Sequence, residues 1–127
     1  MQRPATIRLR TSLFEDATAI VEAEYATDLS LDDIARRVAS SRRQLQRAYT
    51  EIGDTTFREH LTIVRMERAA QMLGIRGLTV RDVAHRVGYR QPAQFAKAFR
   101  RHHGVSPSTY RSRRRYAPPA DPAAQAA

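Results

Sequence analysis

Cationic and amide side chains recur at the spacing of one helical face in two segments of the chain. They are Arg42, Arg43, Gln46 and Arg47 in the first segment, and Arg90, Gln94 and Lys97 in the second, where Arg101 continues the stripe. Arginine and lysine can donate to guanine N7 and O6 or to phosphate, and glutamine can bond an adenine edge bidentately. All of these residues except Arg101 are therefore predicted to contact bases in double-stranded DNA. The alternative is that both segments are solvated charged faces.

A further group of polar residues is predicted to contact DNA phosphates. It consists of Ser41, Thr79, Arg101, Ser106 and Arg111. The three hydroxyl residues stand where helices are predicted to begin, and a helix N-terminus attracts anions. Arginine pairs with phosphate through its guanidinium group, although the basic run that begins at Arg111 is equally consistent with a solvated tail.

The charge distribution of the chain also indicates an anionic partner. The 127 residues carry a formal charge of +9, and 19 of the 22 basic residues lie within residues 34–116, together with only five acids. Nucleic acid is one partner that fits such a balance, with acidic membrane surfaces and acidic proteins as competitors. An arginine-rich composition would produce a similar excess, since 21 of the basic residues are arginine. A membrane-binding helix would need large apolar groups beside the cations, and both faces lack them.

Helical periodicity and capping residues predict an all-α fold of seven helices, and no strand pattern is present. Ser12-Leu-Phe-Glu15 predicts a capping box for a first helix over about residues 12–27, which leaves residues 1–11 as a flexible basic arm. Later helices are predicted over about 41–52 and 56–74, and after the capping sequences at Ser30, Thr79 and Ser106. The proline-rich residues 117–127 are predicted to be a disordered tail.

An internal repeat shows how these helices are arranged. The pattern Leu31, Ile34, Ala35, Val38 recurs 49 positions later as Val80, Val83, Ala84, Val87, and Leu45, Ala48, Tyr49 recur 50 positions later as Phe95, Ala98, Phe99. Each copy is a short helix, a turn and a longer helix, which is the spacing of a helix-turn-helix. We therefore predict one such unit over residues 12–54 and another over 76–116, joined by a linker helix over 55–75.

The linker helix is predicted to pack into both units, because its apolar residues lie on two nearly opposite sides. Phe57, Leu61 and Val64 form one side, and Ile63, Met66, Ala70 and Leu73 form the other. Arg65, in its middle, is expected to be a structural ion-pair partner. A helix of about 19 residues is about 28 Å long, close to the roughly 34 Å between successive major grooves. One monomer is therefore expected to place both second helices in adjacent grooves.

Motifs in the second half of the chain resemble the DNA-binding domain of the AraC/XylS transcription regulators. They are Arg65-Met-Glu-Arg-Ala-Ala-Gln-Met-Leu73, Thr79-Val-Arg-Asp-Val-Ala-His-Arg-Val-Gly-Tyr89, Gln94-Phe95, Phe99-Arg100 and Gly104-Val-Ser-Pro-Ser-Thr-Tyr-Arg111. The resemblance covers about residues 13–113. It implies seven helices, insertion of the third and sixth into the major groove, and transcription activation through contact with RNA polymerase.

The same resemblance assigns base contacts by position. They fall on Arg43, Gln46 and Arg47 in the first unit and on Ala93, Gln94 and Lys97 in the second. Ala93 offers only a methyl group, and Arg90-Gln91-Pro92 replaces small capping residues that are common in the family. Many family members carry a separate sensor or dimerisation domain, for which this chain has no room. It is expected to be either a stand-alone regulator or the DNA-binding fragment of a larger, ligand-responsive one.

Other functional classes receive less support from the sequence. No glycine-rich phosphate loop, nucleophile elbow or metal-ligand spacing occurs, so an enzyme and a cofactor are not expected. The absence of cysteine excludes disulfides and fits a reducing cytoplasm, and no segment is apolar enough for a membrane span. His102 and His103 are expected to face the helix dipole or phosphate. Non-specific nucleic-acid binding and a protein-interaction module that uses the acidic first helix remain alternatives. Control by a small ligand or partner protein and a cytoplasmic, nucleoid-associated location complete the expectations.

Overall fold

The computed structural model describes residues 3–116, and the side chains of residues 3–114. Within that range the chain forms seven helices and no strand, as the sequence predicts. They are α1 (Pro4–Glu24), α2 (Leu31–Arg37), α3 (Arg42–Gly53), α4 (Phe57–Met72), α5 (Val80–Arg86), α6 (Pro92–His103) and α7 (Pro107–Tyr116). None of these helices is long and apolar enough to cross a membrane. The predicted disordered tail, residues 117–127, lies outside the described residues.

Helix α1 begins eight residues before the predicted start at residue 12, so the expectation of a flexible arm is wrong for residues 4–11. Pro4 occupies the first helical position after Arg3, which has extended backbone angles, and proline favours that position because it has no N–H to leave unpaired. The first turns show no apolar period because they extend beyond the core, where Ile7 and Leu9 are exposed. Arg10 attaches this part of α1 to α3 by an ion pair with Glu51.

Side-chain caps define the starts of the short helices, at the residues that the sequence indicates. Ser30 and Thr79 accept hydrogen bonds from the third backbone amide of α2 and α5, and Ser41 forms a complete capping box with Gln44 at the start of α3. Such a cap contributes about 1 kcal/mol to helix stability. The residues at which α2, α3 and α5 begin are therefore determined by the neighbouring sequence.

The turns of the two helix-turn-helix units differ by one residue, which explains the change of repeat offset from 49 to 50. Residues 38–41 connect α2 to α3, whereas residues 87–91 connect α5 to α6. Ala39 and Gly88 hold equivalent positions and both have a positive φ, of 54° and 100°. Glycine adopts this conformation without the steric cost that a Cβ imposes.

The N-terminal unit encloses its own apolar core. Three side chains from its helix-turn-helix, Ile34, Leu45 and Tyr49, are at most 1% exposed. Ala17 and Val21 of α1 pack against them from one side, and Leu61 and Val64 of α4 contribute from the other. Helix α1 thus covers one side of the first core.

The C-terminal unit has a second core, which receives the other half of α4. It contains Val83, Ala84, Val87, Phe95 and Phe99, all completely buried. Met66, Ala69, Ala70 and Leu73 of α4 pack into it. The prediction that the linker helix enters two cores is confirmed, with one correction. Ile63 is predicted to lie on the same side of α4 as Met66, but it is 39% exposed. It points away from both cores.

Candidate nucleic-acid interface

Helix α3 presents one polar and one apolar side. Leu45, Ala48 and Tyr49 are buried, and their burial fixes the rotation of the helix about its axis. The four predicted base-contacting residues of this helix, Arg42, Arg43, Gln46 and Arg47, are all exposed on the remaining surface. Three of these side chains form no ion pair within residues 3–114, and Arg42 lies 3.6 Å from Asp32. Because both members of that pair are well exposed, the interaction is weak enough to be exchanged for another partner.

Helix α6 repeats this arrangement in the second unit. Phe95 and Phe99 are completely buried, and Gln94, Lys97 and Arg101 are exposed. Ala93 is also exposed, in the first turn. The structure therefore brings Gln94, Lys97 and Arg101 onto one accessible surface, which we call the α6 face.

Arg90 does not belong to the α6 face. The helix begins at Pro92, with Gln91 as its extended N-cap residue. Proline has no backbone N–H to donate to the carbonyl four residues earlier, so it favours the start of a helix over its interior. Arg90 lies in the preceding turn, where it is exposed. Its predicted place in a helical stripe is wrong, although its side chain remains available to a ligand.

The three hydroxyl residues predicted to contact phosphate are helix caps in the structure. The side chains of Ser41, Thr79 and Ser106 accept backbone amides of Gln44, Asp82 and Thr109 at 3.0–3.1 Å. These oxygens are therefore already used as acceptors. The Ser106 hydroxyl also donates to Thr109 Oγ1 at 2.9 Å, and the Thr79 hydroxyl interacts with the Asp82 carboxylate. Ser41 is therefore the one of the three whose proton remains able to donate to an anion.

Helix α5 offers a phosphate one donor fewer than its N-terminus suggests. The backbone amide of Thr79 already donates to the Asp82 carboxylate at 2.9 Å. That bond and the Thr79 hydroxyl lower the pKa of Asp82 below its ordinary value, so the carboxylate stays ionised beside the helix start. An approaching phosphate would meet this negative charge.

Arg111, which is predicted to contact phosphate, forms structural hydrogen bonds within the protein. Its guanidinium donates to the carbonyls of Leu73 (3.1 Å from Nε) and Leu78, and thereby ties α7 to the loop between α4 and α5. Arg114 similarly donates to the carbonyl of Ala70 at 3.1 Å. The bonds to Ala70 and Leu73 satisfy carbonyls at the end of α4 that helical bonding leaves unpaired.

His103 is also structural. Its Nε2 lies 3.0 Å from the carbonyl of Met66, and its ring packs against Phe99 and Tyr110. The expectation of a dipole-facing or phosphate-facing histidine pair is therefore wrong for this residue, whereas His102 is exposed. Within residues 3–114 no group of three or more histidine and acidic side chains could hold a metal ion.

Arg65 joins the two units. Its guanidinium donates to the carbonyls of Tyr25 and Thr27, at 2.8 and 3.0 Å, in the loop between α1 and α2. On the other side it lies 5.6 Å from the centre of the Tyr89 ring, in the turn of the second unit. Burial lowers the pKa of Arg65, but an arginine guanidinium keeps its charge in proteins. The expected structural role is thus correct, but its partners are carbonyls and an aromatic ring instead of a carboxylate.

A cleft of about 1010 Å³ separates the exposed faces of the two units. Arg42 and Gln46 of α3 line it from one side and Arg101 of α6 from the other, with Arg58 and Thr62 of α4 between them. The two predicted interaction faces therefore border a common opening. Sequence reasoning missed this cleft, because it depends on the angle at which both units attach to α4. The spacing of Arg58, Thr62 and Arg65 along one helical face was the available indication.

Comparison with known proteins identifies the family to which the chain is similar. A helix-turn-helix domain family matches residues 23–113 of the chain. The raffinose operon transcriptional regulatory protein RafR of Pediococcus pentosaceus is 33% identical over 101 residues, which are 80% of this chain and 36% of that protein. The transcriptional activator AarP of Providencia stuartii is 31% identical over 104 residues, which are 82% of this chain and 77% of AarP. The chain thus spans about a third of RafR and most of AarP.

Solved structures share both the fold and a recognisable sequence. The C-terminal domain of AraT, a response regulator from Geobacillus stearothermophilus, superposes with a TM-score of 0.78. It is 31% identical, and the match covers 87% of this chain and 92% of that one. The DNA-binding domain of the global transcriptional factor AdpA, solved in complex with a target DNA, gives a TM-score of 0.74 with 27% identity, over 81% of this chain and 95% of that one. The match of one family over most of the chain, the duplicated units and the exposed cationic faces lead to one assignment: the chain belongs to the AraC-type helix-turn-helix family of transcription regulators and forms a DNA-binding domain of that type.

Proposed function

We propose that this chain binds specific sites in double-stranded DNA as a monomer and regulates transcription there. Helices α3 and α6 enter adjacent major grooves, and their exposed arginine, lysine and glutamine side chains contact base edges. The observation that carries the proposal is that both faces are solvent-exposed and border a single cleft. A chain that carries two such faces, on two units joined by the shared helix α4, can bind an extended, non-palindromic site without a second copy.

Activation is the regulatory outcome that the relatives favour. AarP is named a transcriptional activator, and a lactose operon transcription activator of Staphylococcus xylosus is 29% identical over 76% of this chain. We propose that bound protein contacts RNA polymerase in the bacterial cytoplasm, at the nucleoid. Catalysis forms no part of this function.

Selection of bound sequences from random duplexes tests the proposal first, because it asks whether any site is preferred. Arg47→Ala and Lys97→Ala should then each weaken binding to the selected site by about 1–3 kcal/mol and relax preference at a few base pairs. Arg76→Ala is the matched control, since Arg76 is an exposed arginine in the α4–α5 loop, outside the cleft. It changes the net charge equally and should leave sequence preference intact.

Non-specific nucleic-acid binding is the competing function, since the net charge alone would support it. It predicts steep salt dependence without sequence preference. Equal losses on selected and random duplexes for both Arg47→Ala and Lys97→Ala would contradict base contact by these residues. Transcription in vitro, with purified RNA polymerase on a template carrying the selected site, then tests activation directly.

A further inference from the structure

The cleft between the two units carries a net positive charge that is concentrated on two of its arginines. Six charged side chains line it, four arginines and two aspartates: Arg42, Arg58, Arg65, Arg101, Asp28 and Asp32. Asp32 lies 3.6 Å from Arg42. Asp28 acts electrostatically on Arg65. Both acids are therefore offset by two of the arginines, which leaves Arg58 and Arg101 uncompensated.

Arg58 has no structural task that would explain its position. It is exposed, and among the residues that the structure describes it has neither an ion-pair partner nor a side-chain hydrogen bond. It also lies in the first turn of α4, where the helix dipole disfavours a cation. A locally unfavourable residue in an otherwise consistent sequence indicates a functional constraint.

The α4 surface in the cleft is a polar stripe. Arg58, Thr62 and Arg65 follow one another at spacings of four and three residues, so they lie on one side of the helix. Arg65 is held by the Tyr25 and Thr27 carbonyls. Arg58, at the outer end of the stripe, is the member that remains available to a ligand.

DNA bound as proposed above would place phosphates at this position. On one face of B-DNA, a minor groove bordered by two phosphate strands separates successive major grooves. If α3 and α6 occupy two such major grooves, the intervening strand must cross the cleft that separates them. We infer that Arg58 of the linker helix, together with Arg101, binds the phosphate backbone of this central segment. The inference rests on the proposed function, because the two-groove position of the DNA brings the strand to α4.

Salt dependence of binding tests the contact. Each phosphate neutralised by a cation contributes about 0.9 to the slope of log K against log salt concentration. Arg58→Ala should lower the slope by about that amount, so that between 50 and 200 mM salt the wild type loses about 3.5-fold more affinity than the variant. The loss should be equal on selected and random duplexes, and Arg76→Ala should leave the slope as in the wild type.

Neutral methylphosphonate linkages locate the contact on the DNA. We expect that one or more substitutions in the segment between the two major-groove contacts weaken binding of the wild type, and that Arg58→Ala is insensitive to the same substitutions. Because Arg58 is exposed, the variant should retain the thermal stability of the wild type, and its melting temperature verifies folding.

Three results would overturn the inference. They are an unchanged salt slope for Arg58→Ala, undiminished sensitivity of this variant to every central methylphosphonate, and a loss confined to particular base pairs, which would indicate base contact in the minor groove. A wild-type chain without preference for any duplex would instead contradict the proposed function. The salt slopes on random DNA would still decide whether Arg58 contacts phosphate.

Discussion

Gly88→Ala is expected to destabilise the protein through Arg65, and so to test whether that side chain joins the two units. A Cβ at this position would lie 3.0 and 3.1 Å from Nη2 and Cζ of Arg65, and 3.2 Å from the carbonyl oxygen of Ala26. These distances are too short for an ordinary contact. Either Arg65 leaves its carbonyl partners or the turn of the second unit moves away from α4.

The expected cost has two parts. Alanine at a φ of +100° costs about 1–2 kcal/mol in the native state, and the loss of freedom in the unfolded chain returns about 0.4–1 kcal/mol. The net strain is therefore about 1 kcal/mol. Loss of one charged hydrogen bond from Arg65 to the Tyr25 or Thr27 carbonyl adds about 1.5–3 kcal/mol. The sum is about 3 kcal/mol.

Gly104→Ala isolates the backbone part of this cost. Gly104 has a φ of +81° at the end of α6, and a Cβ there would meet no atom within 4 Å. This control should lose about 1 kcal/mol. Urea denaturation provides the free energies of unfolding, and repeating both substitutions in an Arg65→Ala background should remove most of the difference. Equal costs for Gly88→Ala and Gly104→Ala in the wild-type background would refute the proposed contact between Arg65 and the turn.

Two further predictions concern stability. Arg111→Ala should cost about 1–3 kcal/mol, since the Leu73 and Leu78 carbonyls lose their donor, but should leave the salt slope of DNA binding unchanged; a slope lower by about 0.9 would restore the phosphate role. Acid should destabilise the N-terminal unit below about pH 6.5, because burial lowers the pKa of His60, so the unfolded chain binds the proton first. Alkali should destabilise it from about pH 10 upward, because burial raises the pKa of Tyr49 to about 12. The two rings share a hydrogen bond of 3.0 Å. Unfolding measured from pH 5 to 11 should show both limbs, and His60→Gln should flatten the acid one; an unaltered acid limb in that variant would assign it to another group.

The sequence predicts the two cores because their apolar residues recur at helical spacing and the same pattern occurs twice. Leu45 and Tyr49 have the same burial as Phe95 and Phe99, at the same helical spacing. A single amphipathic helix fixes only its own inner face, whereas two copies in register also fix how helices pair. The first turns of α1 escape this reasoning because they have no core to face. Pro4, a residue favoured at a helix start, was the only local indication.

In the site, too, the features that depend on neighbouring residues could be predicted, and those that depend on residues distant in sequence could not. Exposure of Arg43, Arg47 and Lys97 follows from the burial of their neighbours, so the helical pattern suffices to predict it. The partners of Arg111 lie 33 and 38 residues away and are backbone carbonyls, which no side-chain pattern encodes. Arginine is equally suited to both ligands, since its guanidinium donors bind carbonyl and phosphate oxygens alike. Only the tertiary structure separates the two uses.

The shared helix also explains why one arginine can set the arrangement of both units. Val64 lies in the first core and Met66 in the second, so Arg65 stands at the boundary between them. The two cores meet at this boundary, where Tyr25 packs against both of them. Arg65 bonds to the loop of the first unit and stacks on Tyr89 of the second, which closes that boundary from the cleft side. A fixed angle between two binding faces spares the entropy of ordering them on the ligand. Arg65 can therefore contribute to the proposed two-groove binding without touching DNA.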